Sequence, residues 1–460
     1  MAFREMKKTI SEKFADFVVN LSYKSLPVSV IEEAKTLIYY NLVMGMTASN
    51  TEYAHTAKEF AKSLDSGCQQ ATVIYDGNKF NVLGASFVNS VMMHSRTQED
   101  SHDKSQSHHG TMVIPVSLGL GEYLQRSGED LITAVIAGYE IGARIGRSGT
   151  MATTLRGFRA SSLYGIFGST AAAAKLLSLS QNGVQNALGI AASLASGLNQ
   201  PFVSGTDEWR YQVGFASRNA ITAAMIAQEG GIASREVFEG KNGFFRAFIG
   251  KEIDPDELTS DLGISYEILN ISYKAFPACS LSQAPILTML ALKEQFRPSL
   301  DQIEEILVRM DPLAVSYPGV NDSGPFKSLG QTQMSVIFAV ATALLREKPI
   351  LRHFEIFDDP SFIALASKIK VVARPNLGVT NIAYCEIQIT MKDGQKNVKN
   401  LHLVPNDFIF ESSKVKDIVM DVAAEHPRLT QKVPKIIEIV EDIESAADLK
   451  KLIDVLVVRE

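Results

Sequence analysis

Residues 383–404 read AYCEIQITMKDGQKNVKNLHLV. From Cys385 to Met391 apolar and polar residues alternate strictly, Cys385, Ile387, Ile389 and Met391 against Glu386, Gln388 and Thr390. A period of two marks a strand with one buried face. Asp393-Gly394 then supplies a tight turn, so 383–404 is expected to form a β-hairpin. The runs Ile303–Met310, Ile369–Ala373, Tyr384–Met391 and Val398–Val404 are β-rich in the same way. Helical patterns lie between them at 281–296 and 331–346.

Upstream of about residue 260 the texture differs. From Val28 to Met46 apolar residues recur at helical spacing, and Pro27 suits a first turn. Segments 112–123, 130–146, 162–179, 182–199 and 212–229 continue the pattern. Several are rich in Ala, Gly and Ser on all sides, which lets backbones approach closely and places these helices centrally. Residues 412–457 return to helices with Glu/Lys-rich faces. The chain thus reads as mostly α. A large all-helical domain (1–265) is followed by a smaller α+β lid domain (266–405) and a helical tail (406–460) that rejoins the first. A cleft between such parts is a natural small-molecule site. No tandem repeat or low-complexity linker is visible.

The chain has 460 residues, 45 Lys+Arg against 51 Asp+Glu, a net charge of −6, and 46% hydrophobic residues. This excludes a mini-protein or a disordered tail. Mild acidity argues against nucleic acid or an anionic membrane surface as partner. The three cysteines, Cys68, Cys279 and Cys385, form no CxxC, which argues against a disulfide framework and a structural zinc site. The first residues lack an apolar signal core, and no run approaches a membrane span. A soluble cytoplasmic protein is expected.

Four of the eight histidines, His94, His102, His108 and His109, lie within 94–109. The segment is polar, so it reads as a loop between helices, either solvated or functional. A metal set of Asp100, His102, Asp103 and His108 is the weaker alternative, because no HExxH-like spacing is present. In 204–219, Gly205-Thr206-Asp207 reads as a capped helix entry with a possible anion site. In 272–283, Lys274 precedes the apolar turn Phe276-Pro277. There it is either a snorkelling surface residue or a desolvated partner for a carboxylate. Cys279 at the next helix start is a small buried hydrophobe or a thiolate nucleophile. Segment 316–335 is a long Gly/Pro/Ser stretch, a lid candidate, with Tyr317 as its proton donor or anchor.

In order and spacing these residues resemble the MmgE/PrpD family nearly end to end, from about residue 10 to 455. The matching text includes Leu26-Pro27, Asn89, His94, Glu99-Asp100-Ser101-His102-Asp103 with His108 and Gly110, and Gly157-Phe158. It continues with Gly165-Ile166-Phe167-Gly168, Gly205-Thr206, Arg218-Asn219, Lys274 with Phe276-Pro277, and Tyr317. The resemblance implies a helical domain with an α+β lid, a homodimer, and a cleft site that needs no metal or organic cofactor. It implies proton transfer next to a carboxylate of a small organic acid. Carried over by position, His108, Lys274 and Tyr317 are catalytic. Asp100, Ser101, Arg159, Trp209 and Cys279 bind substrate. Here Arg159 replaces a family histidine and Trp209 stands where many members place a lysine. The expected activity is a cofactor-independent lyase, a dehydratase or decarboxylase, on something other than the usual tricarboxylate. The alternatives are an epimerase, isomerase or cyclase, or a non-catalytic ligand-binding relative.

Overall fold

The computed structural model describes residues 7–65, 67–374 and 380–458. Helices Val28–Thr47, Val82–Ser95, Gly110–Tyr123, Gly128–Arg147, Ala160–Leu176 and Trp209–Gln228 build one hydrophobic core. Gly110–Tyr123 and Ala160–Leu176 are buried on nearly every face. Their small residues are what makes this possible. A Cβ built on Gly168 would lie 2.5 Å from the Gly138 carbonyl oxygen of the neighbouring helix and 3.3 Å from Gly142 Cα. A Cβ on Gly142 would meet the His109 ring at 2.8 Å. The glycines therefore set how closely these two helices approach, and they leave room for the histidine segment behind them.

The second part is built on a four-stranded sheet. Ile303–Met310 runs parallel to Ile369–Ala373 and antiparallel to Cys385–Met391, which pairs with Lys396–Asn400. The alternation in Cys385–Met391 is realised, with Cys385, Ile387, Ile389 and Met391 buried. That strand packs against helix Ser280–Phe296. Gly394 takes φ +89° in the turn, as the hairpin requires.

Two boundaries differ from expectation. The return strand stops at Asn400, and His402 has turned to φ +54°, outside the extended region. The helix expected over 331–346 is two helices, Leu329–Met334 and Val336–Leu345. Ser335 separates them, its hydroxyl capping the second by accepting from the Phe338 N–H at 3.0 Å.

Helices Ser412–Ala424 and Lys432–Glu441 return to pack on Val28–Thr47. There the buried Lys35 ammonium donates to Glu444 at 2.7 Å and to the Glu441 carbonyl at 2.9 Å. Among the described residues no helix is long and apolar enough to cross a membrane.

Overpacking the glycine contact has a defined cost. Gly168→Ala is expected to lower stability by about 1–3 kcal/mol, read as an earlier urea midpoint. An unchanged midpoint would mean that the two helices separate freely.

Candidate active site

A two-residue ladder assembles the site. Ser101–His102 pairs antiparallel with Ile271–Ser272, Ser101 opposite Ser272. The same register carried two residues further sets Glu99 across from Lys274. Tyr40, from the central helix Val28–Thr47, fastens both segments. Its hydroxyl accepts the Lys274 N–H at 3.2 Å and donates to the Gln98 carbonyl. The Gln98 amide donates to the Ala275 carbonyl at 2.9 Å. With these partners, residues 94–102 are all buried rather than solvated.

Glu99 is the centre. Its Oε1 accepts from Lys274 Nζ at 2.8 Å and lies 3.3 Å from His94 Nδ1 and 3.6 Å from His108 Nε2. Burial opposes charging Glu99, but the Lys274 ammonium together with His94 and His108 outweighs it and holds the carboxylate well below its usual range. Lys274 Nζ also reaches the Thr97 carbonyl at 3.3 Å.

Hydrogen bonds fix both histidine tautomers. The Arg159 guanidinium donates to His94 Nε2 at 2.5 Å. Arginine cannot accept, so the His94 proton sits on Nδ1, towards Glu99. Burial, with the Arg159 charge, lowers His94 to about 4 against the pull of Glu99. His108 Nδ1 lies 2.8 Å from the Asp100 carbonyl oxygen, which can only accept. Its proton is therefore on Nδ1, and Nε2 is left as a bare lone pair. Burial, then Lys274, holds His108 well below its ordinary value. Both rings are neutral at pH 7.

These groups open into a cavity of about 990 Å³, together with Ser101, Arg159, Trp209, Cys279 and Tyr317. Trp209 is 2% exposed and meets His94 edge-on at 4.8 Å. Arg159 donates to the Trp209 carbonyl at 3.0 Å, and its charge lies 5.2 Å from the Trp209 ring and 5.6 Å from Phe202. No carboxylate among the described residues is within ion-pair distance of Arg159. Burial lowers its pKa to about 10. Burial raises Tyr317 to about 12 against the Arg159 charge, so its hydroxyl keeps its proton.

Other positions differ from the sequence reading. Cys279 does precede helix Ser280–Phe296, but burial pushes its thiol up despite Lys274 and the helix amides, so no thiolate forms. The Asp100 carboxylate points away from the cavity. It takes bonds from Tyr139 at 3.0 Å and the Gly110 N–H at 3.4 Å, and burial raises it to about 6. Only its carbonyl serves the site, by orienting His108. The expected cap at Gly205-Thr206-Asp207 is not made. Helix Trp209–Gln228 has no side-chain cap, and the Asp207 carboxylate pairs with Arg210 instead. The metal alternative disperses as well. His102 bonds Ser105 at 2.8 Å and Glu267 at 3.0 Å, and Asp103 accepts from Ser272 at 3.1 Å. Among the described residues no group of three or more His, Cys, Asp or Glu side chains is arranged to hold a metal ion.

Glu99 and His94 were not singled out as site residues from the sequence. For Glu99 a signal existed. Alternation along an extended segment puts Glu99, Ser101 and Asp103 on one face and Asp100 on the other, and the first three line the cavity.

Removing one partner of the central pair strands the other. Lys274→Met is expected to cost about 3–5 kcal/mol, and adding Glu99→Gln is expected to restore most of it. A urea double-mutant cycle checks this. Additive losses would show that the pair is not coupled.

Comparisons with known proteins agree with this architecture. The model of the MmgE/PrpD N-terminal domain matches residues 12–256, and that of the MmgE/PrpD C-terminal domain matches residues 276–406. Cis-aconitate decarboxylase of Aspergillus terreus is 27% identical over 387 residues, covering 79% of this chain and 78% of its own. The Homo sapiens cis-aconitate decarboxylase is 29% identical over 408 residues (85% and 82%), and that of Mus musculus 27% over 406 residues (85% and 81%). Since the N-terminal and C-terminal patterns follow in order along most of its length, the chain belongs to the MmgE/PrpD family.

Proposed function

We propose that this protein is a lyase of the dehydratase or decarboxylase type. It moves a proton next to a carboxylate or carbonyl of a small organic acid, without a metal or organic cofactor. The observation that carries the reading is His108 Nε2. It is an unprotonated nitrogen in the cavity wall, with its other nitrogen locked to the Asp100 carbonyl. Family membership and the cis-aconitate decarboxylase relatives support the same class.

In the dehydratase form, His108 Nε2 takes the proton α to the carboxylate. The C–H electron pair moves into an enediolate, whose negative charge Arg159 stabilises, with Lys274 offering it only its remaining N–H as a hydrogen-bond donor. Collapse of the enediolate expels the β-hydroxyl, and the Tyr317 O–H supplies the proton that lets it leave as water. In the decarboxylase form, loss of CO₂ leaves the electron pair on carbon, and the Tyr317 O–H gives a proton to it and is reprotonated from solvent. A group transferring a proton in this way is worth about 10²–10⁴-fold in rate.

Charge limits the substrate. At the buried end, Glu99 balances Lys274, Asp207 balances Arg210, and the histidines are neutral. Among the described residues Arg159 is left as the one unbalanced buried cation of the cavity, while Lys104 and Lys251 on the wall are exposed. A third carboxylate would lack a charge-assisted contact worth about 1.5–3 kcal/mol. The substrate therefore carries fewer carboxylates than a tricarboxylate and lays an apolar or aromatic portion on Trp209 and Phe202. Epimerisation by the same groups remains the second reading, because His108 alone suffices to exchange an α proton.

A panel of mono-, di- and tricarboxylates, followed by proton NMR in D₂O, tests both. The expected outcome is loss of water or CO₂ from a mono- or dicarboxylate, abolished in His108→Ala. Exchange without either loss would favour epimerisation, and activity intact in His108→Ala would remove the central assignment. Trp209→Lys should improve turnover of cis-aconitate or methylcitrate. Wild type matching the variant on them would refute the charge argument.

The pH profile has a defined sign. The base works neutral and its pKa is held down, so kcat/KM should stay level as pH falls to about 6.5 and decline only below it. KM should rise near pH 10, where Arg159 loses its charge. An acid limb above 6.5 would contradict the burial of His108.

A further inference from the structure

The cavity is larger than a small acid at its inner end would fill. Pockets of about 300–1,000 Å³ bury drug-sized ligands, and this one, near 990 Å³, lies at the top of that range. The groups assigned to the chemistry sit at the buried end, where Glu99, Lys274, His94, Arg159 and Trp209 are each at most 4% exposed. The outer wall has a different character. Lys104, Lys251, Asn270 and Asn406 are polar and exposed there, while Met151, Leu155, Leu281, Leu313, Ile382 and Ile409 form an apolar part of the wall. These come from three regions of the chain: the helix Thr150–Leu155, residues 281 and 313 near two helix starts, and the segments at 382 and 409.

Four of them are large apolar side chains open to solvent: Leu155 at 78%, Met151 at 41%, Leu313 at 39% and Ile409 at 37%. Exposed apolar residues scattered singly need no explanation, but a convergent group around one opening marks a place where apolar matter binds. Continuity with the buried end decides what binds. The apolar wall and Arg159 belong to one cavity, so a single molecule spans both.

We propose that the substrate is an amphipathic acid: one carboxylate at Arg159, the reacting carbon beside His108, and an extended alkyl or aryl substituent along the outer wall. This rests on the carboxylate reading of the site and extends it from the reacting group to the rest of the molecule. The unpaired cation and the aromatic faces of Trp209 and Phe202 account for the head, and the outer wall accounts for a tail of several carbons.

The test is calorimetric titration of the intact protein with straight-chain alkanoates from butanoate to decanoate. Kd is expected to fall about threefold to fourfold for each added methylene, the value for full burial of that group. Arg159→Gln is expected to weaken every length by a common factor and leave the slope. The double variant Met151→Asp/Leu155→Asp, at positions exposed enough not to threaten folding, is expected to flatten the slope. If butanoate binds through Arg159 but Kd does not change with length, the tail is refuted and the carboxylate reading stands. If the slope survives in the double variant, the tail lies elsewhere and the proposal is wrong. If no alkanoate binds at any length, the carboxylate reading fails, and the tail with it.

Discussion

The ion pair between Glu99 and Lys274 is the constraint on which the site depends. Both side chains are almost wholly out of water, and moving two charges there is costly unless geometry and further hydrogen bonds offset it. The backbone provides that geometry. The Ser101–Ser272 ladder fixes the register, Tyr40 ties the flanking strands, and the Thr97 carbonyl takes a second Lys274 proton. Because the lysine is spent on Glu99, it does not add free positive charge to the cavity. Because Glu99 is already neutralised, it does not draw a proton onto His108 strongly enough to overcome burial. The pair thus leaves His108 as a free base at neutral pH.

The same accounting explains why Trp209 matters. Its ring packs edge-on to His94 and lies 4.0 Å from the Arg210 guanidinium. A cation over an indole face gains attraction from the ring quadrupole, about 0.5–2 kcal/mol, so Trp209 stabilises neighbouring arginines while contributing no charge. Arg159 is gripped by the Trp209 carbonyl and by His94, which fixes one face of its guanidinium fork. A site with a single fixed fork is selective for one carboxylate in one orientation.

Legibility from the sequence followed the range of the interactions. The hairpin at 385–400 and the glycine-rich helices declare themselves in local patterns, because alternation and small-residue composition are properties of a single element. The positions of His108, Lys274, Arg159, Trp209 and Tyr317 around one cavity were legible through the family resemblance, although their spacing alone gives no three-dimensional proximity. Glu99 was not, because its role comes from a residue 175 positions away. The burial of 94–102 was hidden for a related reason. Its polar side chains suggest solvent, yet their partners come from distant segments. At Asp207 the competition is local instead, since Arg210, three residues on, takes the carboxylate that would otherwise have met backbone amides.

Those distant partners join all parts of the chain at one point. The Gln333 side chain, from the second part, accepts from Thr97 at 2.8 Å and Arg210 at 2.7 Å, and donates to the Arg96 carbonyl at 2.7 Å. Arg96 in turn donates to Gln98 at 2.7 Å and pairs with Glu425 of the C-terminal helices at 2.5 Å. Residues 96–98 are therefore held from the helical core, the α+β part and the tail at once. Buried polar groups lose their full desolvation cost when a partner leaves. A displacement of the helix Leu329–Met334 would break the Gln333 bonds and loosen Thr97, whose carbonyl helps position Lys274. The placement of the second part and the alignment of the Glu99–Lys274 pair are thus the same structural variable.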